Sequence, residues 1–571
     1  MKTLLTTLNA KYIHTNLAIR HLQAYSGNEF DISIKEFTIK DPILSIVSEI
    51  YQLKPTILGF SCYIWNIEET LKVVEMYKTI SPETTIILGG PEVSYDTDYW
   101  LKTHPSIDYI IIGEGEESFR QFLQFQSGSR EKSEVAGIAY MENGNYKMTM
   151  LPPKLDLRTS PSPYRNPDDV ASLGKRVTYV ETSRGCPFSC QFCLSSIEVG
   201  VRYFAREAVK EDIRYLMDNG AKVIKFVDRT FNISRSYAME MFEFLITEHR
   251  PGVVFQFEIT ADIMRPEVIQ YLNDNAPKGL FRFEIGVQST NDHTNDLVKR
   301  RQNFEKLTRT VTMVRDGGKI DQHLDLIAGL PEEDYQSFRQ TFNDVFALRP
   351  EELQLGFLKL LRGTGLRIDA AKYGYQFVDQ APYEIVGNSV LSFSEIIRIK
   401  NVEDILEKYW NSQKFQRTIE YLVSHVFETP FDFFQQFGDY WTHHNWSRIG
   451  HQFEDLFKRL QAFLISKDMM SASVLSEMKL DYLAHQKFIP RHVWWEETIQ
   501  PEHRSVLLHQ VLSDREEYPY LVEHVIYERE LFKRAFVTEI VTPNGLTPIL
   551  YFFDTPHVWF EVQTAKKEAF S

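Results

Sequence analysis

Cys186, Cys190 and Cys193, three of the chain's four cysteines, fall within eight positions of the stretch "RGCPFSCQFC". Thiolates spaced C-x3-C-x2-C suit a 4Fe-4S cluster, because three protein ligands leave one iron open to a small molecule. Two other readings exist: buried thiols that happen to cluster, and a zinc site completed by a histidine. The rest of the chain is almost free of cysteine, which argues against chance, and no histidine follows at zinc-finger spacing. So few thiols in 571 residues cannot form a disulfide framework, and they point to a reducing compartment, with the cytoplasm as the expected location.

A chain this long folds as about three or four domains. Its 43% apolar and 25% charged residues are ordinary for a globular protein, and no apolar run is long enough to span a bilayer. "MKTLLTTLNA" reads as a first strand and not as a signal peptide. A formal charge of -15 argues against nucleic acid as the main partner, so "KRRQ" at residues 299–302 is read as a solvated helix end.

The elements that must position the thiols are β/α in rhythm. Residues 1–130 alternate β-branched runs ("TILGFSC", "TTIILGG", "IDYIIIGEGE") with amphipathic segments, which predicts a doubly wound, flavodoxin-like parallel sheet. Ligands bind such sheets at the carboxyl ends of the strands. Residues 131–175 read as a hairpin turning at Asn143-Gly144 and a proline-rich linker. Six further runs in residues 176–365, among them "VTYVET", "KVIKFVD" and "GLFRFEIGVQ", predict a (β/α)6 partial barrel working at its strand C-termini. Residues 366–571 read as mainly helical and aromatic-rich, closing with a strand pair around Asn544-Gly545.

At the end of the first barrel strand, "TSRGCPFSCQFC" resembles the signature of the radical S-adenosylmethionine enzymes. The resemblance implies that the open iron chelates the methionine end of S-adenosylmethionine. It further implies that an electron from the reduced cluster cleaves the C-S bond, giving a 5'-deoxyadenosyl radical inside a desolvated barrel mouth. Phe192 sits within the motif. Asp228 in "KFVDRTFN" matches the family's acidic position for the methionine ammonium, although Phe226 and Val227 replace its two glycines. Gln288 and Ser289 in "FEIGVQST" resemble the ribose motif, Gly329 in "DLIAGLPEED" the strand beside adenine, and Glu258 and Asp325 are further strand-end candidates.

A doubly wound domain ahead of such a barrel is similar to the cobalamin-binding branch of that superfamily, which includes the anaerobic magnesium-protoporphyrin cyclases, and the likeness covers residues 1–365. Cobalamin needs a long slot for its nucleotide tail. Ser61 in "LGFSCY" stands where related domains place a hydroxyl, with Cys62 and Tyr63 beside it, and Gly89, Gly90, Gly113 and Gly115 offer side-chain-free walls. Cys62 also reads simply as a buried residue. The D-x-H-x-x-G pattern is missing around His14, so no lower histidine ligand to cobalt is expected, and His14 reads as a loop or interface residue.

The resemblance therefore implies an enzyme that uses a 4Fe-4S cluster, S-adenosylmethionine and cobalamin, acts on a small-molecule or peptide substrate, and takes electrons from flavodoxin or ferredoxin. The leading expectation is methylation of an unactivated carbon. A radical cyclase or rearrangement enzyme using both cofactors is the alternative, and a non-catalytic cobalamin sensor is an alternative of another class. Methylthiotransferases need three further cysteines that this chain lacks.

Overall fold

Buried strands and amphipathic helices resolve into two parallel sheets in the computed structural model, which describes residues 1–197, 200–525, 528–553 and 557–562. The first contains β1 (Lys2–Asn9), β2 (Asp31–Thr38), β3 (Ile57–Ser61), β4 (Thr85–Gly89), β5 (Tyr109–Ile111), β6 (Ile138–Glu142) and β7 (Asn145–Met148), in the order β2-β1-β3-β4-β5-β6-β7. Strands β1 to β5 are parallel, and β6 and β7 join antiparallel. This is the flavodoxin-like order, in which the chain changes direction between β1 and β3 and opens a crevice at their carboxyl ends. Leu4, Leu8, Leu58 and Phe60 pack on one face of the sheet, and Leu5, Ile57 and Ile87 on the other. Each such side chain contributes about 1.5–3 kcal/mol by leaving water. The β6-β7 hairpin turns at Asn143 and Gly144, both at positive φ (51° and 78°), the backbone that a tight two-residue hairpin demands.

The second sheet contains β8 (Val177–Val180), β9 (Val223–Phe226), β10 (Val254–Ile259), β11 (Phe281–Gln288), β12 (Asp321–Ala328) and β13 (Glu352–Phe357), in chain order across the sheet. Along β11 burial alternates strictly. Phe281 and Phe283 join Phe226, Phe231, Phe242 and Phe257 in an aromatic layer under the helices. The residues that alternate with them on β11, Arg282 and Glu284, are only half-buried and turn to the other face.

The chain divides into two compact units: Met1–Pro350 with Gln354–Ile396, and Glu351–Leu353 with Ile397–Ser571. The β/α rhythm stops near residue 365, but the first unit continues past it, because Leu358 N-H bonds Ala328 O and the Tyr375 hydroxyl donates to Gly329 O. The second unit is mainly helical. Its helices Pro430–His443 and Phe453–Ser466 bury Phe433, Phe437, Trp441, Phe457 and Phe463. A three-stranded antiparallel sheet (Ala535–Thr542, Gly545–Phe552, Val558–Glu561) adds one strand to the expected pair. Asp554, at the end of that pair as read, and the end of the 366–571 segment beyond residue 562 lie outside the described residues.

Candidate functional site

The cysteine loop leaves the carboxyl end of β8. Ser183–Arg184 pairs antiparallel with Arg202–Tyr203 and pinches the loop at its neck. Gly185 sits in this neck at φ 95°, where a Cβ would collide with Gly200 O, so the glycine of "RGC" is a steric requirement. All four cysteines of the chain are free thiols, and Cys190 is buried while Cys186 and Cys193 are half-buried. Among the described residues, no three His, Cys, Asp or Glu side chains converge as ligands of a single ion would. The three thiols share one loop, and their number and spacing, not their present convergence, are the donor set of a cluster with an open iron. Burial pushes the Cys186 and Cys190 thiols up, and Arg300, 4.0 Å from Cys190 Sγ, opposes this for Cys190. Phe192 is half-buried within the loop.

Of the other strand-end candidates, Gln288 keeps a clear ligand opportunity: its Oε1 is buried without a donor. Its amide folds over Gly286, where any Cβ would strike Nε2. Glu258 and Asp325 lie on the half-buried face of the barrel sheet with Lys225, Glu284 and His323. Lys225 pairs with Glu284 at 2.6 Å, and His323 Nε2 lies 3.0 Å from Asp325. Burial raises Glu258 above the usual carboxylate range, with Arg229 and Lys225 opposing.

Three further candidates are engaged by neighbouring residues. Asp228 is fully buried, and its carboxylate accepts from Thr182 N (3.1 Å), Thr182 Oγ1 (2.6 Å) and the Ser183 hydroxyl, so it braces the β8 end. Burial pushes it up to about 6, against those donors. Ser289 is likewise enclosed, donating to Glu333 Oε1 at 2.5 Å. Gly329, at φ 93°, is approached by Ile385, which occupies the space that its missing Cβ leaves.

The crevice of the first sheet opens into a cavity of about 730 Å³. Ser61, Gly89, Gly90, Gly113 and Gly115 line it, as do His14, Tyr63 and Trp65. Gly113, at φ 72°, has nothing within 4 Å of where a Cβ would stand, and a Cβ on Gly89 would meet only Ile111 at 3.8 Å, so both leave bare wall. Gly90 serves differently: a Cβ there would lie 2.5 Å from Cys62 O. Cys62 follows the buried one of its two readings: its side chain lies in the hydrophobic core. Only its backbone contributes, through Cys62 N to Gly89 O at 2.7 Å. Asn16 caps the helix Leu17–Ser26 through Ile19 N and also donates to Ser61 Oγ at 3.3 Å. Tyr63 and Trp65 stack 4.3 Å apart, nearly parallel. His14 is an interface residue: its Nδ1 lies 2.7 Å from the hydroxyl of Tyr179 on β8.

The same cavity reaches the cysteine loop. Tyr179, Glu181, Ser183, Arg184, Gly185, Leu194 and Arg229 form its far wall. Between the two walls sits a charge cluster that the strand-end reading missed. Arg184 bonds Glu116 (2.6 Å) and Glu181 (2.9 Å), Arg202 bonds Glu114, and His21 Nε2 lies 3.3 Å from Glu181. Burial opposes ionisation of Glu181, but His21 and Arg184 outweigh it and hold the carboxyl at about 2. The signal was present in "GEGEES" and "TSRG", whose charged residues sit among the glycines considered, but their pairing spans 68 positions.

Residues 3–123 match the model of the B12 binding domain, residues 180–345 that of the Radical SAM superfamily, and residues 371–545 that of a protein of unknown function (DUF4080). An uncharacterized methyltransferase of Pyrococcus horikoshii is 30% identical over 39% of this chain and 51% of its own length. The cobalamin-dependent radical SAM methyltransferase TokK of Streptomyces tokunonensis is 25% identical over 58% of this chain and 51% of its own. An anaerobic magnesium-protoporphyrin IX monomethyl ester cyclase of Rubrivivax gelatinosus is 26% identical over 52% and 54%. The chain thus spans about half the length of the curated relatives it matches. In fold it is similar to the cobalamin-dependent S-adenosylmethionine radical enzyme OxsB (TM-score 0.59, 15% identity, 85% of this chain and 81% of that one). It is also similar to the methyltransferase TsrM of Kitasatospora setae (TM-score 0.57, 15% identity, 69% and 82%).

Proposed function

We propose that this chain, which pairs a B12-binding domain with a radical SAM domain, is a cobalamin-dependent radical S-adenosylmethionine enzyme that methylates an unactivated carbon of a small-molecule or peptide substrate. The observation that carries this reading is that one cavity has the bare glycine wall of the first sheet on one side and the neck of the cysteine loop on the other. When bound, a reduced 4Fe-4S cluster supplies an electron to cleave S-adenosylmethionine, and cobalamin supplies a methyl carrier.

The chain's own residues fit these groups. Cys186, Cys190 and Cys193 would hold the cluster. Gln288 Oε1, an acceptor with no donor, is available to a ribose hydroxyl. Gly89 and Gly113 leave space for the corrinoid tail, and the Tyr63–Trp65 stack offers a flat apolar surface. The Arg184 cluster fastens the two walls, and the enclosure they make excludes water from a reactive intermediate. Among the described residues, no helix is long and apolar enough to cross a membrane. Unpaired thiols throughout are consistent with a reducing cytoplasm, and we assign flavodoxin or ferredoxin as the class of electron donor.

The relatives named as methyltransferases favour methyl transfer, and the cyclase relative supports a second reading in which both cofactors serve ring formation. The test is anaerobic reconstitution, then incubation with methyl-labelled S-adenosylmethionine and deproteinised cell extract under strong reductant. Methyl transfer requires 5'-deoxyadenosine together with label in a new product. Deoxyadenosine with an unlabelled product would favour the cyclase, and no deoxyadenosine would refute the enzyme.

A further inference from the structure

The loop after β4, residues 90–96, walls the cavity with Gly90, Pro91, Ser94 and Tyr95. Its other side, Glu92 and Val93, turns inward and is buried. Val93 joins the apolar core of the first sheet, but what meets the Glu92 carboxylate comes from neither that sheet nor the barrel strands. The Tyr383 hydroxyl donates to Glu92 Oε1 at 2.5 Å. Arg362, only 4% exposed, donates through Nε to Tyr383 Oη (3.0 Å), through Nη1 to Asp96 (3.0 Å) and through Nη2 to Asp379 (3.1 Å). Its guanidinium also lies over the rings of Tyr99 and Trp100, 4.4 and 5.0 Å from their centres. Gly363, at φ 86°, completes the contact: a Cβ there would lie 2.5 Å from Tyr95 Cδ1, so its backbone rests on the ring of a cavity-lining residue.

The same segment grips the cysteine loop and the barrel. Leu366 N donates to Gln191 O at 2.9 Å, between Cys190 and Cys193, and a Cβ on Gly365 would collide with the Gln191 side chain. Leu358 N donates to Ala328 O, and Ile385 packs on Gly329. One stretch of chain thus touches the wall of the cavity, the loop that carries the thiols and the end of β12.

We infer that residues 358–391 form a strap that holds the corrinoid-side loop in register with the cysteine loop, with Arg362 and Tyr383 as its positioning residues. This rests on the reading of the cavity as a cobalamin site, and it gives a role to the first residues of the segment matched as DUF4080. The physical reason is specific to arginine. Three acceptors spread around one buried planar cation cannot be served by a lysine ammonium in the same geometry. Losing the strap would leave Glu92 without its hydroxyl donor and Tyr95 without backing, and the wall formed by residues 90–96 would no longer be preorganised for a ligand.

The test uses the full chain, anaerobically reconstituted, titrated with hydroxocobalamin by absorbance. Tyr383→Phe should weaken binding by about 3–10-fold and Arg362→Gln by 10-fold or more, with Arg362→Lys between wild type and Arg362→Gln. Iron content should stay at the wild-type level, and the apo-protein's melting temperature should fall by no more than a few degrees. Should Arg362→Gln not fold, Tyr383→Phe and Gly363→Ala carry the same comparison. Wild-type affinity in Tyr383→Phe and Gly363→Ala, or weakening that only tracks loss of folded protein, would overturn the strap. A wild-type chain that binds no hydroxocobalamin would sink the cavity reading first, and the strap with it.

Discussion

The two parallel sheets of this protein obey one β/α grammar and use it in opposite ways. In the first, β1 is buried along nearly its whole length, and both faces are apolar cores. Nothing can bind on the sheet, and the ligand space is confined to its carboxyl edge, where glycines leave it open. In the second, one face is a layer of phenylalanines and the other carries Lys225, Glu258, Glu284 and Asp325. That sheet encloses a polar interior and presents its strand ends as well. The lesson is that strand composition reports which kind of site a parallel sheet can make: a continuous apolar run makes an edge crevice, and strict alternation makes a lumen.

The largest effect should come from the loop that faces both. Replacing Cys186, Cys190 and Cys193 together by alanine should abolish bound iron and 5'-deoxyadenosine formation while leaving hydroxocobalamin affinity within about threefold of wild type. Iron analysis and the cobalamin titration read the two sites separately, and loss of both would show that the crevice is not independent of the cluster loop. Next, neighbouring residues of β10 should behave oppositely. Phe257→Ala removes a fully buried ring and should cost about 3–5 kcal/mol, whereas Glu258→Gln on the other face should stay within about 0.5 kcal/mol. Denaturant melts of the pair decide it, and equal costs would contradict the lumen.

A smaller, pH-dependent effect should come from Glu333, buried beside Ser289. Burial pushes it up to about 7, with the Ser289 and Thr341 hydroxyls opposing and Asp334 reinforcing the rise. Below about pH 4.5 the carboxyl is protonated in folded and unfolded chains alike. Between there and pH 7 only the unfolded chain ionises, so stability falls as pH rises, by an amount on the order of 3 kcal/mol, and then levels off. Glu333→Gln should flatten the wild-type decline in this window. An unchanged slope in the variant would show that Glu333 is ionised in the fold.

Much of this was legible because it is local. The alternation of "FRFEIGVQ", the Asn143-Gly144 turn and the C-x3-C-x2-C spacing each place their consequence within a few residues. The rest depends on partners far away in sequence. The hydroxyls that hold Asp228 belong to Thr182 and Ser183, some 45 positions earlier. Cys62 follows a strand that borders the crevice; its side chain lies in the core, and its backbone meets the loop at Gly90. The strap was invisible for the same reason: Arg362 reaches Asp96 across 266 positions, and nothing in "LLRGTGL" announces a buried cation.

The central claim is that the crevice of the first sheet and the cysteine loop bound one shared space. It is tested most directly by electron paramagnetic resonance on protein carrying both cob(II)alamin and the reduced cluster. The account predicts magnetic coupling, seen as broadening or splitting of both signals that is absent when either group is loaded alone. Two spectra that superimpose on the sum of the singly loaded samples would contradict it.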